Sequence, residues 1–329
     1  MNKSEMAREY RTKHGAKMPT LKLARIMYNE NKLVFKDVED ARGRLRLVEG
    51  KCGKSRAKLL PDDIRVKEDR PKNPYALPES EEVPYEPYRI TGHSRVGILS
   101  DVHLPYHNLE ALTVALQYLK KQKVDAVLLN GDTLDAHPLS RYVKDPKKRD
   151  FKYELDTFKA FFEVLEKQLK CQIYFKIGNH EARYEKFLIE KAGELIGVEE
   201  FEFENILKAR ARGIRIIGDK QFMKLNDLNG IHGHEYIGGI SAPVNVARGL
   251  YLRGKVSAFQ GHNHATSEHT ETDMDGKITT TWSLGCLAEL HPSYMPLNRW
   301  NHGCADVDLD KNGKDYEFRN KRIYKGKIL

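Results

Sequence analysis

Val96-Gly97-Ile98-Leu99-Ser100-Asp101-Val102-His103 is the stretch on which the fold turns. A short apolar run stops at an aspartate, with a histidine two places further on. Such a run is long enough for one buried strand and too short for a helix. The pattern returns twice downstream. Val124 to Leu129 ends at Gly131-Asp132, with Asp135 beyond, and Ile173 to Ile177 ends at Gly178-Asn179-His180-Glu181. Between these runs Leu109, Leu112, Leu116 and Leu119, then Leu155, Phe158, Phe162, Leu165 and Leu169, recur at helical spacing. Strands alternating with helices predict an α/β fold with a parallel sheet and right-handed crossovers. Ligands of such sheets gather at the carboxyl ends of the strands, where all three polar motifs lie.

Further along, helical stretches are expected over Ala182 to Leu195 and Glu204 to Arg212, after which the character turns to β. Ile214 to Ile217, Phe222 to Leu225, Asn229 to His232 and Val256 to Gln260 read as strands. The last two run into His232-Gly233-His234 and Gly261-His262-Asn263-His264. Asp275-Gly276 and Asn312-Gly313 predict hairpins. Asp308, Asp310, Asn312 and Gly313 imitate a calcium loop, but its twelfth position is Arg319 where a glutamate is needed, so a turn is expected there.

Taken together the motifs supply Asp101, His103, Asp132, Asn179, His232, His262 and His264. Oxygen and imidazole donors without thiolates suit Mn, Fe, Ni or Zn better than calcium or a cysteine-rich zinc site. The set is too large for one ion with an open position and about right for two sharing a carboxylate. Two such cations, roughly 3.5–4 Å apart, can hold a hydroxide between them and clamp a phosphoryl group for in-line attack.

Order and spacing resemble the calcineurin-like metallophosphoesterase superfamily, with D-x-H, G-D-x-x-D, G-N-H-E, H-G and G-H-x-H running from about Arg95 to Asp310. The resemblance implies a four-layer αββα sandwich of two mixed sheets. It implies that Asp101, His103 and His264 hold one metal, that Asn179, His232 and His262 hold the other, and that Asp132 bridges them. By the same resemblance His180 donates a proton to the leaving oxygen and Asp135 orients His180. His232 is favoured as the ligand over His234, which could face substrate phosphate instead. In the related serine/threonine protein phosphatases the position of Ala136 is a phosphate-clamping arginine, so that substrate class is disfavoured. His137, Arg141, Arg183, His291 and Trp300 are candidate cleft residues, each with an ordinary surface or core role as the alternative.

The net charge of +9 is confined to one end. Residues 1–60 hold 16 Lys and Arg against 7 Asp and Glu, and the remainder holds 40 of each sign. Thr20, Leu21, Leu23, Ile26 and Met27 predict a capped helix, and Asp37, Val38, Ala41, Leu45 and Val48 a second with Arg42 and Arg46 on another face. This basic module, expected over 1–58, is similar to a helix-turn-helix; a small dimerisation or packing module is the alternative. Residues 59–93 carry Pro61, Pro71, Pro74, Pro78, Pro84 and Pro87 and read as an extended linker before a domain over 94–329.

No apolar run could span a bilayer, and the polar start is unlike a secretory signal. Cys52, Cys171, Cys286 and Cys304 form no Cys-x-x-Cys pair and are expected as free thiols in the cytoplasm. The whole chain also resembles phosphoesterases carried by bacterial viruses with a small basic leading module, which would place it in the host cytoplasm. The favoured activity is a phosphodiesterase or nuclease with two divalent ions, Mn first. The alternatives are a phosphomonoesterase acting on small nucleotides or modified ends, and a DNA-binding protein with a structural metal site. Removing residues 1–60 should weaken polynucleotide binding and flatten its salt dependence while sparing hydrolysis of small esters, as salt titrations of full-length and truncated protein would measure.

Overall fold

The computed structural model describes residues 2–14, 18–50, 75, 77, 78, 82, 85–141, 150–236 and 244–329. Cys52, the basic tail to Lys58 and most of the proline-rich segment lie outside the described residues. The chain forms two compact units, Met1–Tyr85 and Glu86–Leu329.

The first unit holds three helices, α1 (Lys3–His14), α2 (Thr20–Glu30) and α3 (Val38–Val48). The sequence pattern revealed only the second and third, because α1 is so charged that its apolar face is narrow. Met6, Leu23, Met27, Phe35, Leu45 and Val48 form the core. Buried with them, Arg11 pairs with Glu49 and donates to the Met18 carbonyl at 2.7 Å. Asp37 caps α3 as expected, accepting from the Asp40 amide at 2.8 Å. Thr20 does not cap α2; Pro19 takes that position, and the Thr20 hydroxyl donates instead to Glu49 at 2.8 Å. Arg44 and Arg46 are exposed on α3.

In the second unit, β1 (Tyr88–Ile90) and β2 (Arg95–Leu99) lead into α4 (Leu109–Gln122), β3 (Ala126–Asn130), α5 (Phe151–Leu169), β4 (Gln172–Lys176) and α6 (Ala182–Lys191). Then come β5 (Arg215–Ile217), β6 (Met223–Leu225), β7 (Leu228–Gly230), α7 (Val246–Gly254) and β8 (Ala258–Gln260). The unit closes with β9 (Ser267–Thr272), β10 (Ile278–Ser283), β11 (His302–Leu309), β12 (Tyr316–Tyr324) and β13 (Lys327–Ile328). Of the two helical stretches expected here, Ala182 to Leu195 is α6 followed by a 3₁₀ turn at Gly193–Leu195, whereas Glu204 to Arg212 holds only the short α-helix Phe203–Ile206 and a 3₁₀ turn at Arg210–Arg212.

One sheet runs β13-β12-β11-β2-β3-β4-β5, with β2 to β5 parallel and β11 antiparallel to β2. The other runs β1-β6-β7-β8-β10-β9 and mixes parallel and antiparallel neighbours. β1 lies within the segment expected as linker; its pairing with β6 makes it an edge strand.

Strand alternation explains the layering. Val96, Ile98, Ala126 and Leu128 face Met223, Leu225, Leu228 and Phe259 of the other sheet. Leu99, Val127, Leu129 and Phe175 face α4 and α5 through Leu112, Leu119, Phe158 and Phe162. Leu250 of α7 packs on Ala258 at the far side. The result is helix, sheet, sheet, helix. Core strands are apolar on both faces because both are covered. Leu128→Ala, at the contact between sheets, should lower stability by about 2–5 kcal/mol, which thermal melts would register as a drop of several degrees.

Candidate metal centre

Each candidate ligand leaves a strand at its carboxyl end. Asp101 and His103 follow β2, Asp132 follows β3, and Asn179 and His180 follow β4; His232 follows β7, and His262 and His264 follow β8. The seven proposed ligands therefore come from both sheets and meet at one end of the sandwich. Compression into that space shows in the backbone. Asp101, His103, Asp132, His262 and His264 all take left-handed φ values, between 49° and 64°. For residues other than glycine this costs on the order of 1–3 kcal/mol each and persists only where the surroundings impose it. Two motif glycines serve the same crowding. A Cβ on Gly131 would come within 2.4 Å of the His232 ring, and one on Gly178 within 2.4 Å of Asp132 Oδ1.

Hydrogen bonds decide which way each ring points its lone pair. His232 Nδ1 lies 2.7 Å from the Asn130 carbonyl oxygen, so Nδ1 carries the proton. Its Nε2 then faces Asp132 Oδ2 and Asn179 Oδ1, both at 3.2 Å. On the other side His103 Nδ1 binds Asp135 Oδ1 at 3.0 Å, and Nε2 faces His264 Nε2 at 3.2 Å. His264 Nε2 is in turn 3.1 Å from Asp101 Oδ1. With its proton on Nδ1, His264 would bring a third acceptor to this point, and three acceptors at such distances repel one another unless positive charge lies among them. Asp101, His103 and His264 form one candidate metal-binding group, and Asp132, His232 and His262 another. Among the described residues, the buried Nδ1 of His262 has no hydrogen-bond partner. The donor set thus fits two divalent ions.

The same demand for a cation appears in the proton affinities. Burial disfavours a charged His232, but the Asp132 carboxylate outweighs it and pushes the ring up to about 10. His264 rises likewise to about 10, against burial, beside Asp101. Burial and the charge of His232 push His262 down to about 4. Asp101 and Asp132, despite burial, are held below the usual carboxylate range by their histidine neighbours.

His180 and Asp135 sit beside this cluster. His180 Nδ1 lies 2.8 Å from the Asp135 carbonyl oxygen and 3.2 Å from its carboxylate. Asp135 therefore serves His103 and His180 together. Its carboxylate and that of Asp132 raise the proton affinity of His180 against burial. Yet Arg183 Nη2 donates to His180 Nε2 at 2.9 Å, and a guanidinium can only donate. In this arrangement the ring is neutral, with its proton on Nδ1.

His234 turns away from the cluster, with Nε2 2.6 Å from Asp219. Trp300 packs edge-on against His264 at 4.2 Å between ring centroids, and Tyr294 is 6.4 Å from Trp300. His291 is exposed and lies 3.1 Å from the Pro296 carbonyl oxygen. Sequence reasoning gave no role to the buried supports. Glu181 accepts from the amides of Asp132, Leu134 and Gly178 at 2.8–3.0 Å. Glu235 accepts from the amides of His232 and Gly233 at 2.8 and 2.7 Å, and pairs with buried Lys176 at 3.3 Å. Glu181 was visible as the end of G-N-H-E; nothing near Glu235 signalled its task.

Residues 94–309 match the family described as calcineurin-like phosphoesterase. The chain belongs to that family. It is accordingly a metal-dependent phosphoesterase, a hydrolase of a dimetal family. Among solved structures, this calcineurin-like phosphoesterase is similar to vacuolar protein sorting 29 from Cryptosporidium parvum, at 12% identity and a TM-score of 0.40 over 72% of this chain and 95% of that one. A dimetal phosphatase from Danio rerio gives 13% identity and 0.35 over 70% and 96%. Yfce, a phosphoesterase from E. coli, gives 14% and 0.33 over 66% and 89%. No curated protein matches the chain. Among the described residues, no helix is long and apolar enough to cross a membrane.

Glu154, in the first turn of α5, is fully buried. Burial, followed by the charge of Asp135, pushes its carboxyl from 4.5 up to about 8. Between those values the folded chain keeps a proton that the unfolded chain has released, so stability falls as pH rises from 4.5 to about 8. The slope is at most about 1.4 kcal/mol per pH unit. Glu154→Gln should flatten this part of the curve of Tm against pH and raise Tm on its alkaline side, which melts across that range would detect.

Proposed function

We propose that this phosphoesterase cleaves phosphodiester bonds in nucleic acid or nucleotides with two divalent ions, of which manganese suits the donor set best. The observation that carries the reading is the double convergence of lone pairs, at 3.1–3.2 Å, around His264 Nε2 and His232 Nε2. Asp101, His103 and His264 would hold one ion, Asn179, His232 and His262 the other, and Asp132 both. When bound, the ions acidify water and neutralise phosphoryl charge.

The remaining work falls to the chain's own groups. Asp135 fixes the tautomers of His103 and His180 by binding Nδ1 of each. His180 is thereby oriented with Nε2 towards Asp132 Oδ2, 3.7 Å away; a second proton taken up at Nε2, which the carboxylates of Asp132 and Asp135 favour, would be the one given to a leaving oxygen. Trp300, half-buried and packed against His264, would be the aromatic ring nearest the ligands for a base to meet. The basic charge of the first sixty residues adds attraction for a polyanion. Both features support nucleic acid or nucleotide substrates.

With manganese, the protein should hydrolyse bis-p-nitrophenyl phosphate and oligonucleotides, and EDTA should abolish turnover. Asp132→Asn and His180→Ala should each lower kcat/KM by at least about a hundred-fold. Equal rates in wild type and both variants would overturn the reading. Much faster turnover of a phosphomonoester would reassign the substrate class.

A further inference from the structure

We propose that Arg183 is a phosphate-binding residue of this site, supplying from α6 the cation that position 136 cannot. The inference rests on the phosphoesterase reading above and adds one residue to it. Position 136 is a fully buried alanine in the left-handed region, with φ of 48°, and its side chain cannot reach an anion. Arg183 stands three residues after His180, on the first turn of α6, and its amide donates to the His180 carbonyl at 3.1 Å. One helical turn brings residues three apart onto the same face. The guanidinium consequently returns to the reaction centre. Nη1 donates to the Asp135 carbonyl oxygen at 2.8 Å and Nη2 to His180 Nε2 at 2.9 Å.

What Arg183 lacks is as informative as what it touches. Among the described residues no carboxylate lies within 4.0 Å of its guanidinium nitrogens, whereas Arg95, Arg210, Arg212 and Arg319 all have such a partner. Both of its present acceptors are uncharged groups. A guanidinium has five N–H donors, and here two bonds use only part of them. A half-buried cation, held beside the proposed proton donor and without a counter-ion, is suited to receive a tetrahedral oxyanion in bidentate fashion. Its bond to His180 Nε2 also keeps that ring aligned.

The test is binding of inorganic phosphate to the manganese-loaded protein, followed by calorimetry, in wild type, Arg183→Met and Arg183→Lys. Arg183→Met should weaken phosphate binding by at least about ten-fold, as expected for a lost charge-assisted contact, and Arg183→Lys should weaken it less. Manganese stoichiometry should be unchanged in both. Added guanidinium ion should restore part of the kcat/KM of Arg183→Met on bis-p-nitrophenyl phosphate, which a purely structural arginine would not allow. Phosphate affinity within two-fold of wild type in Arg183→Met would overturn the inference alone, and so would loss of manganese together with phosphate. A wild-type protein that neither binds phosphate nor hydrolyses any ester would remove the underlying phosphoesterase reading.

Discussion

Repulsion between buried acceptors is the constraint around which this molecule is arranged. Nε2 of His232 faces two side-chain oxygens, and Nε2 of His264 faces another imidazole nitrogen and a carboxylate. Left alone, such groups would drift apart or take up protons, as the raised affinities of His232 and His264 attest. Much of the surrounding architecture resists that drift. Left-handed backbone at five of the ligands and glycines pressed against His232 and Asp132 are the visible expression of forced proximity.

The resistance comes from buried carboxylates that bind backbone rather than side chains. Glu181 gathers three amides from the loops after β3 and β4, and so locks Asp132 to the G-N-H-E turn. Glu235 does the same for the loop after β7, and its charge is met by Lys176 from the opposite sheet. Asn130 adds a link between sheets, donating to the Ile231 carbonyl at 3.1 Å while its own carbonyl takes the His232 proton. Each of these contacts lies one step behind the atoms that would meet a ligand. Together they convert a general strand-end cleft into a site of fixed dimensions.

Strands β2, β3 and β4 of the seven-stranded sheet were legible because they are apolar on both faces and each ends at a polar motif, whereas β11, β12 and β13 carried no such signal. The layering followed only from the family resemblance, because β6, β7 and β8 are three residues each and carry little pattern of their own. Helix α1 escaped notice, as its buried contacts, Met6, Ala7 and Arg11, include a charged residue whose partner Glu49 is distant in sequence. The preference for His232 over His234 came from the resemblance; in the structure His232 faces Asp132 and His234 faces Asp219. Arg183 could be named but not ranked from sequence. Its proposed role rests on the lack of a counter-ion among the described residues, a property of three-dimensional surroundings that no spacing encodes.

Asp101, His103, Asp132 and Asn179 hang from one sheet, and His232, His262 and His264 from the other. Ions gripped across that seam would act as rivets as well as reagents. Because a bound ion favours only the state that can bind it, the endurance of the folded sandwich would rise and fall with the supply of free divalent metal. A cell starved of that metal would then lose the protein itself, through unfolding and turnover, and not merely its catalytic rate.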